Sequence, residues 1–425
     1  MGVGIFYLLK KKTFLPLFMT QFLGAFNDNA FKLAMLTLIS YFLSASQVQS
    51  ERYQVIAGAL YIFPFFLLSA TAGQLADKFD KARMARITKL FEVVLMAIGG
   101  LALYLGNIFM MMATLTGMGI HSTFFGPIKY AILPDHLLKP ELLGATALIE
   151  GSTFLAILLG TTLGTLSVGG AGTGSLYAII ITCGAAVVGL IASCFIPPAP
   201  STAVDLAVDW HLWRATRRMF KEVTCKERIM TAIFAISWFW LIGSVVLTKL
   251  PDYTNYVLRA NTSVFATFLA LFSIGIALGS LVISKLLTGK VLWRYVPHSL
   301  FLLSLFACDI YWATPVTSVD IPLQSLREFF SQLSHLRITI DLFLLAFCGG
   351  LFVVPLYTYL QVTSDGWMRA RTIASNNIFN ALFMVAGALL VMVLLYFHLP
   401  IAQVFLILGL MNFCVAAALW FVLLT

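Results

Sequence analysis

The chain consists largely of long apolar runs, joined by short connections that hold most of its charged residues. A helix needs roughly 20 consecutive apolar residues to cross the hydrocarbon core of a bilayer, and many of the runs reach that length. Of the 425 residues, 60% are hydrophobic and 11% are charged, whereas an ordinary soluble protein has about 25% charged residues. This pattern excludes a soluble globular protein, a disordered chain and a disulfide-stapled secreted domain. It predicts an all-α membrane protein.

Apolar windows of about 19 residues predict twelve transmembrane helices. The predicted spans are 14–42, 54–76, 87–105, 108–126, 142–167, 174–196, 229–249, 263–284, 295–313, 338–360, 372–397 and 400–424. An even number of spans places both termini on the same side of the membrane.

Most of the 27 lysines and arginines fall in connections on one side of the predicted bundle. These connections contain the segments 10–12, 78–89, 129–139, 214–228, 285–294 and 369–371. By the positive-inside rule this side is cytoplasmic, so we expect both termini in the cytoplasm. The net charge of +9 is then a consequence of topology, and nucleic acid is not needed to explain it.

The longest interior polar segment, 197–228, opens with Pro-Pro-Ala-Pro and divides the chain into predicted six-helix bundles, 1–196 and 229–425. Within it, apolar and basic residues recur near helical spacing, which predicts an amphipathic helix on the inner leaflet. A linker helix is the favoured interpretation, and lipid sensing is the alternative. Gly73-Gln-Leu75 recurs as Gly279-Ser-Leu281 at the end of the eighth span. Parallel six-span repeats are the plan of major facilitator transporters, with halves related by a pseudo-two-fold axis.

The connection after the second span, Gly73-Gln-Leu-Ala-Asp77-Lys-Phe-Asp80-Lys81-Ala-Arg83, resembles the loop motif of major facilitator proteins. That resemblance implies a gate on the cytoplasmic side, held by charge pairing and helix-dipole contact. Asp77 is expected to pair either with Arg83 or with the start of the eleventh span near Arg371 and Thr372. The expected gating residues are Gly73, Asp77, Lys81, Arg83 and Arg371. A solvated charged loop is the alternative, and the motif departs from the family at Asp80, where the family usually has glycine.

The first span carries polar residues at a depth where charge is costly, about 3 kcal/mol or more at the bilayer centre. Gln21, Asp28 and Lys32 share one helix face, because they are seven and four residues apart. Either Asp28 and Lys32 neutralise each other, or they form a polar site for a substrate or proton. An aspartate with a lysine suits a zwitterionic headgroup. The candidate binding residues in this span are Asn27, Asp28, Asn29 and Lys32.

Other polar residues in the spans are weaker candidates. Glu150, in the fifth span, needs a partner or a proton, and Lys129 beside Tyr130 is a plausible partner. Asn376 and Asn380 share a face of the eleventh span, where they either join helices or line a cavity. Gly160 and Gly164 form a GxxxG that predicts close helix packing. Lys89 and Glu92 are three residues apart and are interpreted as a local pair, not as a site.

The sequence offers no pattern for a cofactor. The six histidines show no metal-ligand spacing, and the six cysteines show no CxxC pair. There is no GxxxxGK[ST] phosphate-binding loop. We therefore expect no metal, no cofactor and no ATP-driven step.

Four segments resemble the lysophospholipid transporter family of the major facilitator superfamily. They are QFLGAFNDNAF, GPIKYAILPDHL, ALIEGSTFLAILLG and LFVVPLYTYLQ. The resemblance implies a transporter, not an enzyme, that flips lysophosphatidylethanolamine and related lysolipids inward across a bacterial inner membrane by alternating access. A cytoplasmic acyltransferase would then restore the second acyl chain. Family polar positions match at Asn27, Asp28, Asn29, Lys129, Tyr130 and Glu150, and less securely at Asn376 and Asn380.

One departure concerns the seventh span, where simpler family members have an arginine that this chain lacks. The chain is more similar there to the transporter half of members fused to acyltransferases. Either Lys249 supplies the missing cation, or the substrate preference differs. Two other functions stay open: a proton-coupled exporter of a small amphiphile such as a drug or siderophore, and a membrane anchor for an acyltransferase. We expect a monomer.

Overall fold

The computed structural model describes residues 5–168, 174–287, 293, 295–315 and 322–424. Lys290 and Arg294, two of the basic residues counted above, lie outside this part. The helices are α1 (Leu15–Leu38), α2 (Gln47–Lys78), α3 (Lys81–Leu105), α4 (Ile108–Ala131), α5 (Leu133–His136), α6 (Lys139–Leu166), α7 (Gly174–Cys194), α8 (Leu212–Thr224), α9 (Glu227–Asp252), α10 (Thr262–Leu286), α11 (Tyr295–Ala313), α12 (Leu326–Phe330), α13 (Leu333–Thr363), α14 (Arg369–Tyr396) and α15 (Ile401–Leu424). Short 3-10 or π turns cover Ile5–Lys10, Ile39–Leu43, Tyr253–Val257 and Gly366–Met368.

Eleven helices in this part of the chain are long and apolar enough to cross a membrane. The helix α1 is also long, with 24 residues. It is not among the eleven because its polar residues lower its mean hydropathy. Each predicted span coincides with one long helix, and the predicted 295–313 matches α11. Some helices extend beyond the apolar window, since α3 begins at Lys81 and α13 at Leu333. Others are shorter than predicted: α1 ends at Leu38 and α7 at Cys194. The linker helix predicted in 197–228 is α8.

The chain divides into two compact units. The first comprises Met1–Ala145, Leu155–Thr231 and Leu360–Ala381, and the second comprises Thr146–Phe154, Ala232–Tyr359 and Leu382–Thr425. The core of the first unit includes Phe31, Met96 and Leu115, all buried. In the second unit a buried Asn412 accepts a hydrogen bond from Trp238 Nε1 at 2.6 Å and donates to the Leu300 carbonyl and to Ser304 Oγ. The division into bundles 1–196 and 229–425 stays a prediction.

Within the first unit, α6 packs closely against α1 through Gly160 and Gly164. A Cβ built on Gly164 would lie 2.9 Å from Ala30 Cα, and one on Gly160 would lie 3.1 Å from the Ala30 nitrogen. The distance at Gly164 is too short for a side chain, and a Cβ on Gly160 would also clash with the Phe26 carbonyl oxygen. The GxxxG spacing therefore acts as predicted, by letting two helix backbones approach.

Gly164→Ala is expected to lower the melting temperature of the detergent-solubilised protein, with a cost of about 1–3 kcal/mol from overpacking. Gly184→Ala on α7 is the matched control, because a Cβ there meets no atom within 4 Å. The control should hold or slightly raise the melting temperature, since alanine favours a helix more than glycine does. Equal melting temperatures for the two variants would contradict the close contact.

Candidate functional site

A polar patch joins α1, α2 and α4 within the first unit. The Asp28 Oδ2 atom accepts hydrogen bonds from Ser122 Oγ at 2.6 Å and from Tyr61 Oη at 3.0 Å. Asp28 is half-buried, and in the described part of the chain its Oδ1 has no hydrogen-bond partner. An ionised carboxylate accepts about four hydrogen bonds. The patch therefore retains an acceptor for a further donor.

Lys32 lies one helical turn from Asp28 on the same face of α1. Its Nζ is 5.8 Å from the centroid of the Tyr61 ring, a cation–π contact. Among the residues that the structure describes, no salt bridge joins Lys32 to Asp28. A direct ion pair, the closest form of mutual neutralisation, is therefore not the arrangement observed. The patch thus presents an anion and a cation that do not satisfy each other.

The two asparagines that flank Asp28 donate hydrogen bonds to different protein groups. Asn29 Nδ2 donates to the Ala25 carbonyl of its own helix at 2.8 Å. Asn27 is fully buried, and its Nδ2 donates to Glu92 Oε1 at 2.8 Å. The structure therefore places Asn27 in a different cluster from Asp28, although the two residues are adjacent in sequence.

That second cluster is a buried group of charges between α1, α3 and α4. Glu92 forms an ion pair with Lys89, and its Oε2 lies 3.1 Å from His121 Nε2. Lys89 and Glu92 have no exposed surface, and the His121 ring stacks on Phe125. The local pair predicted from the spacing of Lys89 and Glu92 exists, but it is part of a larger cluster in the core of the first unit.

Small residues make room for this cluster. A Cβ on Gly189 of α7 would lie 2.8 Å from Lys89 Nζ, and one on Gly24 would lie 3.4 Å from the same atom. Sequence reasoning missed His121, Tyr61 and Ser122 as partners. Their residue types carry no signal, since a hydroxyl or a lone histidine in a span most often bonds its own helix or packs. Gly189, which faces Lys89, lies on α7, far from Lys89 in the sequence.

Glu92→Gln is expected to destabilise the folded protein by about 3–5 kcal/mol, because it leaves the Lys89 ammonium buried without a counter-charge. The double variant Glu92→Gln with Lys89→Met removes both charges and should recover most of the loss. Thermal unfolding in detergent measures both. A Glu92→Gln protein as stable as the wild type would show that water or another group compensates Lys89.

A network of charged residues, which we call the basic-side network, joins the end of α2 to the start of α14. Asp77 is fully buried. Its carboxylate accepts hydrogen bonds from the Ala370 N–H at 2.9 Å, the Arg371 N–H at 3.3 Å and Arg371 Nε at 3.0 Å. The first N–H groups of a helix lack partners within the helix, and the helix dipole favours an anion there. Asp77 thus caps α14 from another helix.

Three further contacts extend the basic-side network. Arg371 also donates to Glu222 of α8 at 2.7 Å. Lys81 Nζ lies 2.9 Å from Asp135 Oδ2, and Arg369 reaches the other oxygen of Asp135 at 3.3 Å. The network therefore connects α2, α3, α5, α8 and α14 within one compact unit.

The expected gating residues meet here with one exception. Gly73 is required for the close approach of α2 and α14, because its Cβ would lie 2.8 Å from Ala374 Cβ. Asp77 pairs with Arg371, the second of the two predicted partners. Arg83 is exposed and lies outside the network. Its backbone N–H binds Asp80 Oδ1 at 2.7 Å.

Asp80, the departure from the family loop motif, caps a helix. It is the N-cap residue of α3, with φ −60° and ψ 120°, and its other oxygen accepts from the Ala199 N–H at 2.9 Å. This backbone conformation is open to any residue. The turn therefore does not need the glycine that the family usually has.

Asp77→Asn should loosen the basic-side network, because the amide keeps an acceptor for Ala370 but loses the charge opposite Arg371. Charge-assisted hydrogen bonds contribute about 1.5–3 kcal/mol. Ser375 is buried, and loosening the network should expose it. We therefore expect a cysteine at this position to react with a maleimide about tenfold faster in Asp77→Asn than in the wild type. In both proteins the exposed Cys194, Cys225 and Cys414 are replaced by serine.

Asp205→Asn is the matched control for that experiment, since Asp205 is exposed in the polar segment before α8. It should leave the labelling rate at position 375 unchanged. Equal rates in the wild type and Asp77→Asn would mean that the carboxylate does not hold the two helices together.

The remaining predicted residues lie in both compact units. Lys129, at the end of α4, is half-buried with its Nζ 4.7 Å from the centroid of the Tyr130 ring. Tyr130 is buried in the first unit, and Glu150 is 1% exposed in the second. Asn376 and Asn380 are buried on α14. Neither amide atom of Asn376 has a hydrogen-bond partner in the described residues, so helix-to-helix bonding does not account for this side chain.

Among the described residues no three His, Cys, Asp or Glu side chains come together in a way that could hold a metal ion. The site is thus a set of side chains from α1, α2 and α4, with a buried ionic cluster and the basic-side network in the same compact unit.

Residues 17–326 match the Major Facilitator Superfamily. The chain is 28% identical over 345 residues to the "Lysophospholipid transporter LplT" of Shigella flexneri, covering 80% of this chain and 78% of that protein. A protein of the same description from Citrobacter koseri is 28% identical over 346 residues, with the same coverage.

Among solved structures, a human organic anion transporter (TETRAN) aligns with a TM-score of 0.73, 15% identity and coverage of 95% of this chain and 99% of that one. The proton:xylose symporter XylE aligns with a TM-score of 0.70, 12% identity and coverage of 96% of this chain and 94% of that one. At these sequence identities, the similarity to solved structures supports only the fold of this chain.

Proposed function

Because the chain belongs to the Major Facilitator Superfamily, we propose that this multi-pass membrane transporter carries lysophospholipids. In this proposal it moves lysophosphatidylethanolamine and related lysolipids from the outer to the inner leaflet of a bacterial inner membrane by alternating access. Both termini lie in the cytoplasm and the protein acts as a monomer. A cytoplasmic acyltransferase then restores the second acyl chain.

The relation to lysophospholipid transporters supports the substrate class. The similarity extends along 80% of the chain, so it is not confined to a loop motif shared by the whole superfamily. The predicted polar positions in α1, α4 and α6 fall within the matched family region.

The observation that carries the proposal is the pairing of Asp28 and Lys32 on one helix face without a salt bridge between them. A zwitterionic lysolipid headgroup has an ammonium and a phosphate. Asp28 retains a carboxylate oxygen without a hydrogen-bond partner among the described residues, which suits the ammonium. Lys32 rests on the Tyr61 ring, and its positive charge suits the phosphate.

The remaining predicted residues take supporting roles in this proposal. In this proposal Lys129 and Tyr130 add charge and a hydroxyl from α4, Glu150 adds a carboxylate from α6, and Asn376 and Asn380 add amides from α14. Apolar side chains of the spans hold the single acyl tail. Gly73, Asp77, Lys81 and Arg371 form the closure on the basic side, which opens when the substrate is released.

The test is movement of fluorescent lysophosphatidylethanolamine in proteoliposomes, measured as label protected from an external quencher. Wild-type protein should protect label above empty liposomes, and Asp28→Ala should lose at least about tenfold in initial rate, because a lost hydrogen bond to a charged group costs roughly 1.5–3 kcal/mol. Asp205→Ala removes an exposed carboxylate and should transport like the wild type.

The opposite result would identify a different transporter. If folded wild-type protein protects no lysolipid, but moves a small amphiphile in response to a pH gradient, the proton-coupled exporter is the correct function. If Asp28→Ala, with normal thermal unfolding, transports lysolipid at the wild-type rate, the headgroup does not bind at α1.

A further inference from the structure

The linker helix α8 exposes a stripe of residues that nothing in the described protein covers. Trp213, Arg217 and Lys221 are spaced four residues apart, so they lie along one side of the helix. All three are exposed, and the Trp213 side chain is 75% exposed. We call these three residues the α8 stripe.

The opposite side of α8 is fixed to the first compact unit. Ala215, Met219 and Val223 are buried. Ala215 and Met219 pack in one apolar cluster with Ala70 of α2 and residues of α14. Because α8 is docked in this way, the α8 stripe has a defined orientation and is not part of a loose tail.

This docking places α8 near the ends of the transmembrane helices. Glu222 of α8 accepts a hydrogen bond from Arg371 in the first turn of α14, at 2.7 Å. The interfacial layer outside the hydrocarbon core is about 6 Å thick on each side, and amphipathic helices lie at this boundary. We therefore expect α8 to lie close to the headgroup layer on the basic side.

The charges of α8 divide into neutralised ones and those that remain available. Arg214 donates to both carboxylate oxygens of Asp209, at 2.6 and 2.9 Å, and Arg218 pairs with Glu222 at 3.1 Å. The Arg214 hydrogen bonds lower the pKa of Asp209 to about 2, so this aspartate stays ionised at neutral pH. In the described chain, the side chains of Arg217 and Lys221 make no ion pair with an acid.

We propose that the α8 stripe binds the phosphate headgroups of anionic phospholipids in the leaflet on the basic side. Its two available cations complement the phosphate charge, and the exposed indole of Trp213 suits the boundary between headgroups and acyl chains. This site is separate from the transport site at Asp28, and it takes bilayer lipid that is not transported.

The test uses a fluorophore on Cys225, an exposed residue that follows α8 and continues the spacing of the stripe. Cys194, Cys414 and Cys183 are replaced by serine. The protein is reconstituted in phosphatidylcholine nanodiscs that contain an equal fraction of either brominated phosphatidylglycerol or brominated phosphatidylcholine. With two available cations, we expect local enrichment of the brominated phosphatidylglycerol over its neutral counterpart by about thirtyfold at low salt, read as stronger quenching.

Substitutions in the α8 stripe test whether it causes the preference for brominated phosphatidylglycerol. Arg217→Gln with Lys221→Gln should abolish it, and the charge-preserving pair Arg217→Lys with Lys221→Arg should keep it. The matched control, Lys10→Gln with Lys12→Gln, removes two exposed cations from the N-terminal segment and should leave the preference intact. All of these side chains are exposed, so thermal unfolding should match the wild type.

Three results would overturn the proposal. Equal quenching by the two brominated lipids would show that no headgroup is selected. A preference that survives Arg217→Gln with Lys221→Gln would place it elsewhere. A preference abolished by millimolar inorganic phosphate at constant ionic strength would assign the stripe to a soluble anion. These readouts do not depend on lysolipid transport.

Discussion

Charge buried inside an apolar helix bundle has to be compensated where it lies, and this constraint organises the first compact unit. Lys89 and Glu92 have no exposed surface, so each depends on the other. Glu92 also accepts the Asn27 amide at 2.8 Å, which fixes the rotation of α1 about its axis. Adjacent residues of a helix point about 100° apart. Anchoring Asn27 on Glu92 therefore turns Asp28 toward Tyr61 and Ser122, and the buried ion pair orients the polar patch.

On the basic side, the buried charge of Asp77 also has to be compensated where it lies. The start of α14 has backbone N–H groups without helical partners, and the buried Asp77 carboxylate accepts from two of them. Asp77 in turn depends on these donors and on Arg371, since a buried carboxylate needs hydrogen bonds and a counter-charge. The contact requires Gly73, because any side chain there would separate α2 from α14. Gly73 and Asp77, one helical turn apart, are therefore both needed for the contact between α2 and α14.

The long helices in the described part of the chain were predictable because apolar windows of membrane-spanning length mark transmembrane helices without any knowledge of tertiary contacts. Helical spacing likewise placed Asp28 and Lys32 on one face, and the loop motif limited the partner of Asp77 to Arg83 or the start of the eleventh span near Arg371. Sequence spacing did not reveal that Asn27 points to Glu92 or that His121 joins the cluster, since these contacts link residues far apart in the chain. Tyr61 and Ser122 also escaped prediction. Which hydroxyl reaches Asp28 depends on how α1, α2 and α4 pack, and a single sequence does not contain that information in a local pattern.

The polar patch and the basic-side network share the helix α2. Tyr61 binds Asp28 near the middle of this helix, and Gly73 and Asp77 hold α14 near its end. Pro64 lies between them inside the helix, and proline removes one backbone hydrogen bond and weakens the helix locally. A ligand that draws Asp28 away from Tyr61 would act on the part of α2 before Pro64, whereas closure of the network acts on the part after it. In the proposed transporter we expect the missing backbone hydrogen bond to let α2 bend between the two sites, so that substrate release and opening of the basic side need not move the whole helix as a rigid rod.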